Sequence, residues 1–333
     1  MDALAIRSPQ PLLVHPRDVI GIEYGRDLDG GGRQLMSARW LGCDTRLSWA
    51  PRKALRLTRQ RGLNLKGHPQ SLNRRYRRDG FISGIPVLSK AESLHHREQL
   101  ERAESALGHS LHYYNKVHTV MRSPYELATH PNLLDVVEAI LGPDILLYNV
   151  TYIIKEPNSR TFVSWHQDLT YWGFDGSDQV SAWLALSPAN SHSGCMQMIP
   201  GSHLEGTRDQ ETSDDPDNVL LQSQTIANVD ESCAVSCELE PGEVSLHHGW
   251  TVHCSRPNVS NDRRIGLNAQ YIRPSMRQTK SDHDSAMLVR GRDPFGYYRQ
   301  DTAAQSWLEE DAAQQLAIAR EEYQDIAGRA NPS

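Results

Sequence analysis

A series of short apolar segments with no helical pattern between them constrains the fold of this chain more than any other feature. Each segment is rich in β-branched residues and is bounded by the turn-forming residues Gly, Asn, Pro, Ser or Asp. Strands that follow one another in this way pair antiparallel, in a sandwich or barrel, and not in a parallel doubly wound sheet. The predicted strands are residues 145–155, 180–187, 195–199, 243–247 and 265–272.

Helical patterns lie on either side of this region. Ser89 followed by Glu92 has the spacing of a capping box and predicts an amphipathic helix that continues to about Leu107. The other predicted helices are one opened by a second capping-box spacing at Ser123, one over 132–141 that stops at Gly142, and one over 302–327. The predicted architecture is therefore mainly β with flanking helices.

The first 70 residues differ in composition from the rest of the chain. Residues 46–78 contain many Arg and Lys and neither Asp nor Glu. Such a block either contacts an acidic partner, a carrier protein or a nucleic acid, or is a solvated leader without chemistry. The second interpretation is favoured because Trp49 and Tyr76 lie at the edges of the block and are not interleaved for base stacking. We predict a basic, partly disordered N-terminal extension over 1–70 and one domain over 71–333.

Charge and cysteine content exclude several classes of protein. The formal net charge of -6 argues against a nucleic-acid-binding protein, which is normally basic. Apolar runs are shorter than the ~20 residues that span a bilayer, and the N-terminus lacks the pattern of a secretory signal. The five cysteines are an odd number without CxxC spacing, as expected of free thiols in a reducing compartment. The chain is predicted to be a cytoplasmic protein, a monomer or weak homodimer, without a membrane partner.

A His-x-Asp pair carries the first indication of chemistry. On a strand, residues two apart project to one face, so His166 and Asp168 can present an imidazole and a carboxylate to one point. His253, at the end of a later predicted strand, can supply a third ligand. Two histidines and one carboxylate leave three metal positions open, the arrangement of iron(II) oxygenases. Arg264 opens the next strand and supplies a guanidinium that can clamp a carboxylate.

Longer motifs, in the same order and spacing, make this pattern specific to one family. They are YRRDGF at 76–81, WHQD at 165–168, AWLAL at 182–186, GCMQMIPGSH at 194–203, PGE at 241–243 and HCS at 253–255, followed by Arg264. From about Tyr76 to Tyr271 the chain resembles the phytanoyl-CoA dioxygenase family of iron/2-oxoglutarate oxygenases. The resemblance implies a double-stranded β-helix core, the jelly roll also found in cupins.

The resemblance also implies cofactors and residue roles. Fe(II) is the expected metal and His166, Asp168 and His253 its expected ligands, with 2-oxoglutarate and O₂ as cosubstrates. Arg264 matches the clamp on the 2-oxoglutarate carboxylate, Ser255 the hydroxyl beside it, and Trp183 a position in the cosubstrate pocket. Related halogenases have a small residue in place of the carboxylate ligand, so Asp168 favours oxygen insertion or desaturation over chlorination.

Other polar residues near these motifs are given structural interpretations. His247 and His248 precede the liganding strand and are not expected to bind iron. His203 is expected to order the loop after the PGS turn. Arg263 is expected to be a surface charge, because strand alternation turns it away from Arg264, although a register one residue different would exchange the two roles.

Substrate contacts are expected around the metal site. The candidates lie on the strand before the His-x-Asp motif and in the predicted lid loop after it: Tyr148, Asn149, Tyr152, Thr170, Tyr171 and Trp172. Tyr148 and Tyr152 should share a face by strand alternation. These aromatic residues either shape a small-molecule pocket or pack beneath a loop.

The predicted activity is hydroxylation of an unactivated C–H bond of a small molecule, with release of succinate and CO₂. Amino acids, natural-product intermediates and thioesters are all open as substrates, free or attached to a carrier protein. The alternative is a jelly roll that binds a metal or ligand without catalysis. A third interpretation makes the basic extension a nucleic-acid-binding arm of an oxygenase.

Overall fold

The structure is a computed structural model that describes residues 24–28, 34–38, 69–220 and 223–328. The chain divides into two compact units, 1–60 and 61–333. In the first unit, β1 (Tyr24–Leu28) and β2 (Gln34–Ala38) pair antiparallel. Most of the predicted extension over 1–70 lies outside the described residues, so its disorder and its boundary remain predictions.

The second unit is built on two β-sheets, and the mainly β fold with flanking helices is confirmed. The larger sheet has seven strands, in the order β15-β14-β4-β13-β6-β11-β3, all antiparallel except the β14–β15 pair. Its strands are β3 (Phe81–Pro86), β4 (Ile145–Lys155), β6 (Gln179–Ala185), β11 (Glu243–His247), β13 (Arg264–Ile272), β14 (Ser285–Arg290) and β15 (Arg299–Gln300).

The smaller sheet has four strands, in the order β10-β7-β12-β5, and completes the predicted jelly roll. A separate two-stranded hairpin, β8–β9, lies in the loop region between β7 and β10. The strands are β5 (Val163–His166), β7 (Met196–Met198), β8 (Glu211–Thr212), β9 (Gln224–Thr225), β10 (Val235–Cys237) and β12 (His253–Ser255). The strand predictions for 145–155 and 243–247 match the structure, and the other three agree within two residues.

Seven helices lie among the described residues of the second unit. They are α1 (Pro69–Asp79), α2 (Lys90–Leu107), α3 (Val117–Val120), α4 (Arg122–Ala128), α5 (Pro131–Leu141), α6 (Leu169–Trp172) and α7 (Ala312–Gly328). The capping box of α2 is confirmed: Glu92 N donates to Ser89 Oγ (3.2 Å) and Ser89 N donates to Glu92 Oε2 (2.7 Å). None of the described helices is both long and apolar enough to cross a membrane.

Two helix predictions are wrong in their starting points. Ser123 does not cap a helix, because α4 begins one residue earlier and the Ser123 hydroxyl is paired with His96 Nδ1 at 2.8 Å. The C-terminal helix begins at Ala312, not near 302. The carboxylate of Glu309 accepts bonds from the backbone N–H groups of Gln305 (2.7 Å) and Ser306 (2.9 Å), which holds the chain before α7 in a turn.

The main apolar core lies on the outer face of the larger sheet, under the helices. Along β13, Ile265, Leu267 and Ala269 are buried in this core together with Leu100 of α2 and residues of α4 and α5. Side chains alternate along a strand, so the residues between them project from the inner face, towards the smaller sheet. The inner faces of the two sheets are therefore left to form a site. Cys195, Cys237 and Cys254 are buried free thiols, and Cys43 lies outside the described residues.

Candidate metal centre and its cavity

Two histidines face each other on neighbouring strands of the smaller sheet. His166 on β5 and His253 on β12 are directly paired, and their ring centroids are 4.0 Å apart. Each Nδ1 lies beside a backbone carbonyl, which can only accept: Ser164 O at 2.9 Å and Thr251 O at 2.8 Å. Nδ1 therefore carries the proton on both rings, and both Nε2 atoms are free to bind a metal.

Asp168 completes the cluster, but not by the predicted route. Strand β5 ends at His166, and Asp168 has helical dihedrals (φ −61°, ψ −44°) at the start of α6. The chain turns at Gln167, whose buried amide donates to Gly206 O and Trp250 O, both at 2.8 Å. The pair is therefore brought together by a locked turn and not by strand alternation.

The three ligand atoms converge closely enough to hold one ion. Asp168 Oδ1 lies 3.4 Å from His166 Nε2 and 3.7 Å from His253 Nε2, and all three ligand atoms fall within 4.8 Å of one another. Burial alone would raise the pKa of Asp168, but His253, His166 and His247 hold it well below its usual value. The carboxylate is thus ionised, and two imidazole nitrogens with one carboxylate oxygen form a donor set that suits Fe(II).

The second oxygen of Asp168 is held by the larger sheet. Ser181 Oγ donates to Asp168 Oδ2 (3.0 Å), and His247 Nε2 lies 3.2 Å from the same oxygen. Ser181 and His247 are paired residues of β6 and β11. His247 lies outside the three-residue ligand cluster, and its contact with Asp168 was not predicted from the sequence. The pairing of β11 with β6 brings it there.

The contact of His247 with Asp168 supports a prediction about metal affinity. We expect His247→Ala to weaken Fe(II) binding about 10- to 100-fold, the usual effect of removing a partner that orients a ligand. His247→Gln should recover most of the affinity, because its amide can still donate to Asp168. Fe(II) titration of the apo-protein measures both, with exposed His192→Ala as the control. Equal affinities in wild type and His247→Ala would contradict the assigned role.

Arg264 lies in the interior with most of its donors unused. It is 1 % exposed, and Nη1 donates to Gly194 O at 2.9 Å. Its Nε and Nη2 have no hydrogen-bond partner among the described residues. Burial lowers the pKa of Arg264 to about 10, which leaves the guanidinium charged at neutral pH. A buried cation with unpaired N–H groups is suited to a carboxylate, which can accept two of them at once.

Trp183 forms the floor beneath this guanidinium. The Arg264 guanidinium carbon lies 5.1 Å from the centre of the Trp183 ring. Gly266 makes room for the indole, because a Cβ at that position would lie 2.0 Å from the ring.

Arg263, unlike Arg264, turns to the outer face of the sheet and pairs with Glu104 (2.8 Å) and Glu156 (2.9 Å). The predicted register of these two arginines is the one in the structure.

A cavity of ≈ 260 Å³ surrounds the metal cluster and Arg264. Six predicted residues line the cavity in addition to the three of the metal site. Trp183, Ser255 and Arg264 lie at the proposed cosubstrate end, and Asn149, Tyr171 and Trp172 lie elsewhere in the wall. Tyr148, Tyr152 and Thr170 are not among the residues that line it. Thr170 instead accepts a bond from Gln210 Nε2 at 3.0 Å.

Tyr148 and Tyr152 do not share a face, contrary to the prediction. The register between β13 and β4 shifts after Gln270, which pairs with Asn149, whereas Tyr271 pairs with Leu147. Tyr148 is the extra residue of this bulge, so alternation is interrupted there. Tyr152 packs in the main core under the helices, and Tyr148 packs in a separate cluster with residues such as Met276. No aromatic wall is formed by the pair.

Several residues of the cavity wall were not predicted. They are Tyr113, Asn115, Thr151, Asn268 and Gln270, with Arg320, Tyr323 and Gln324 of α7. Asn268 and Gln270 could have been found by counting alternate residues along β13 from Arg264. The three residues of α7 belong to no recognisable motif. They reach the cavity because α7 packs on α6, where Trp172 Nε1 donates to Tyr323 Oη (3.0 Å).

A jelly roll that joins two histidines and a carboxylate beside a buried arginine defines the class of non-haem iron, 2-oxoglutarate-dependent oxygenases. Within that class, the chain belongs to the phytanoyl-CoA dioxygenase (PhyH) family, whose sequence model matches residues 76–266. Fe(II), 2-oxoglutarate and O₂, the cofactors predicted for the chain, are those of this family. The ligand set and the unpaired donors of Arg264 fit them.

Comparison with known proteins supports this assignment. The chain is 30% identical to the non-haem monooxygenase ThoJ in its apo form, with a TM-score of 0.67 over 78% of this chain and 100% of that one. It is 27% identical over 220 residues to the 1-deoxypentalenic acid 11-beta-hydroxylase of Streptomyces arenae, covering 58% of this chain and 76% of the relative. It is 28% identical over 152 residues to the peroxisomal phytanoyl-CoA dioxygenase of Bos taurus, covering 44% of this chain and 45% of the relative. The match thus spans less than half of the latter protein.

Proposed function

We propose that this protein is an Fe(II)- and 2-oxoglutarate-dependent dioxygenase that hydroxylates an unactivated C–H bond of a small molecule. One observation carries the proposal: three ligand atoms within 4.8 Å of one another share a cavity with a buried, largely unpaired arginine. A protein that only binds a metal has no need of the second feature, and turnover distinguishes the proposal from a protein that binds a ligand without catalysis. Hydroxylation is favoured over chlorination because Asp168 occupies the carboxylate position.

The residues of the site have distinct roles in this reaction. Fe(II), when bound, supplies the chemistry that couples O₂ reduction and oxidative decarboxylation of 2-oxoglutarate to substrate oxidation. His166, Asp168 and His253 would hold the metal, with both histidines fixed in the tautomer that leaves Nε2 free. Arg264 would bind the distal carboxylate of 2-oxoglutarate, with the Ser255 hydroxyl beside it.

The wall near Arg264 would exclude water from the cosubstrate. Trp183 and three aliphatic or thioether side chains line this end: Ile153, Val163 and Met196. Removing water strengthens the interaction of the guanidinium with a carboxylate, because the local dielectric constant falls. The cosubstrate would therefore be held by an ion pair between its carboxylate and the buried Arg264 guanidinium, surrounded by apolar side chains.

The proposal extends to the rest of the chain. Residues 71–333 would form the catalytic domain, and 1–70 a basic, partly disordered extension. A small molecule would be the substrate, with delivery by a carrier protein left open and nucleic acid not expected. A cytoplasmic location and a monomer or weak homodimer are part of the same proposal.

An anaerobic titration tests the proposed function. Apo-protein is titrated with Fe(II) and then 2-oxoglutarate, and the visible metal-to-ligand charge-transfer band is recorded. We expect a band in the wild type and a much weaker one in His253→Ala. A folded, metal-loaded protein that forms no band would refute the proposal and favour a binding protein without catalysis.

A further inference from the structure

The cavity has two ends of unlike chemistry, set by a single strand. Three alternate positions of β13 line the cavity, namely Arg264, Asn268 and Gln270, and at the fourth, Gly266, the Trp183 indole covers the strand. At about 3.3 Å per residue, Asn268 and Gln270 lie roughly 13 and 20 Å along the strand from Arg264. At the end near Arg264, the guanidinium and the Ser255 hydroxyl are surrounded by the apolar side chains described for the proposed cosubstrate. The other end is lined by side-chain amides and a hydroxyl.

The polar end is built from paired residues of β13 and β4. Gln270 is paired with Asn149, and Asn268 is paired with Thr151. The β4 residues are already engaged: Asn149 Oδ1 accepts from Lys116 N (2.9 Å), and Asn149 Nδ2 donates to Thr151 Oγ1 (3.1 Å). Two of the four polar side chains are thus part of the protein's own hydrogen-bond network.

The other two, Asn268 and Gln270, are not engaged. Asn268 Oδ1 and Gln270 Oε1 are buried and have no hydrogen-bond partner among the described residues. Gln270 is only 6% exposed. Buried polar groups in folded proteins are almost always paired, so two adjacent unpaired amides in a cavity wall point to a ligand that pairs with them.

Gln270 is also connected to the candidate metal centre through its neighbour on β6. On its other side it is paired with Ser181 of β6, and Ser181 donates to Asp168 Oδ2. One row of paired residues therefore runs across four strands, from Asn149 through Gln270 and Ser181 to His247. A group bound by Gln270 is consequently held one strand away from a residue that orients a metal ligand.

The recognised group should be neutral. Histidines aside, the charged side chains among the described lining residues are Asp168, Arg264 and Arg320. The first two are assigned to the metal and the cosubstrate, and Arg320 is an exposed residue of α7. A charged group beside Gln270 and Asn268 would be desolvated without a counter-charge, which is strongly unfavourable.

We propose that the substrate carries a neutral amide, as in a carboxamide, peptide or lactam, and that Gln270 and Asn268 determine specificity by pairing with it. A side-chain amide offers a donor and an acceptor side by side, and another amide is its direct complement. This inference rests on the proposed function and narrows its substrate class. A long acyl chain at the same place would leave both amides unpaired and bind about fivefold to hundredfold more weakly for each.

The test compares two sets of defined compounds on the holoenzyme. One set consists of N-acetyl amino-acid amides and simple lactams, and the other of short- and long-chain acyl-CoA thioesters. Two signals are recorded: the change that each compound produces in the anaerobic charge-transfer band, and succinate release above the substrate-free rate. We expect at least one amide to give both signals and the thioesters to give neither.

Matched variants connect these signals to the two residues. Gln270→Leu and Asn268→Leu remove the amide at similar volume, and each should lower kcat/KM for the active amide about tenfold to hundredfold. The Kd of 2-oxoglutarate should not change in either variant. Gln314→Leu, an exposed position on α7, is the control and should behave as wild type.

The possible failures are distinguishable. If the wild type forms no charge-transfer band, the proposed function fails and the substrate inference falls with it. If the band forms but thioesters are turned over, or no amide is, the inference alone is overturned. It is equally overturned if the active amide keeps its kcat/KM in both leucine variants.

Discussion

Replacing Asp168 with alanine is expected to lower Fe(II) affinity and substrate-dependent succinate formation by more than a hundredfold. Loss of a residue that only orients a ligand already costs about 10- to 100-fold, and Asp168 is a ligand in the proposed site. The substitution also leaves His166 and His253 without the anion that lies within 3.7 Å of both Nε2 atoms. Metal titration and a succinate assay measure the two effects separately.

The control for this variant is Asp178→Ala. Asp178 is exposed, and its carboxylate makes one long contact, 3.7 Å to Arg273. We expect this protein to bind Fe(II) as the wild type does. Circular dichroism should confirm that Asp168→Ala is folded, since Ser181 and His247 lose a partner. A folded Asp168→Ala that retains Fe(II) affinity and product formation would remove Asp168 from the metal site.

Replacing Arg264 with alanine is expected to raise the Kd of 2-oxoglutarate by about 10²- to 10⁴-fold. Breaking a buried, hydrogen-bonded charge pair by removal of one partner costs about 3–5 kcal/mol, and each 1.4 kcal/mol is tenfold in Kd. Among the described residues, Arg264 has one hydrogen bond, to Gly194 O, and no carboxylate partner. Its charge pair therefore forms only when the carboxylate of 2-oxoglutarate is bound. We therefore expect 2-oxoglutarate to raise the Tm of the metal-loaded wild type and to leave the Tm of metal-loaded Arg264→Ala unchanged.

Arg263→Ala is the matched control, one residue away on the other face of the sheet. Its ion pairs with Glu104 and Glu156 join β13 to α2 and to the end of β4, so its loss should lower stability. The Kd of 2-oxoglutarate should be unchanged. The assignment would be reversed if Arg264→Ala kept its affinity for 2-oxoglutarate and Arg263→Ala lost most of it. Arg263 would then be the residue that binds the cosubstrate.

The metal cluster could be predicted from the sequence because its residues lie in motifs with fixed spacing. His166 and His253 lie opposite each other because β5 and β12 pair, and neither of these short strands is among the segments predicted from the apolar pattern. The route for Asp168 could not be predicted. The turn that places it depends on the Gln167 amide bonding Gly206 and Trp250, which are 39 and 83 residues away along the chain.

The substrate side of the cavity was harder to predict than the metal side. The bulge at Tyr148 interrupts alternation in the middle of a long apolar strand, and nothing in the local residues marks it. The residues of α7 follow the metal motif by more than 140 residues and reach the cavity only through tertiary packing. One such contact is the hydrogen bond from Trp172 to Tyr323, which are 151 residues apart along the chain. Local patterns carry no information about such contacts.

The alternation along β13 has a consequence for how specificity can diverge. Residues 265, 267 and 269 are packed in the main core, whereas 268 and 270 line the cavity, so a substitution in one set leaves the packing of the other in place. Substitutions at 268 and 270 can change what is recognised without repacking the interior or displacing Arg264. We expect these two positions to vary among descendants that adopt new substrates, and to be the most productive pair for laboratory evolution.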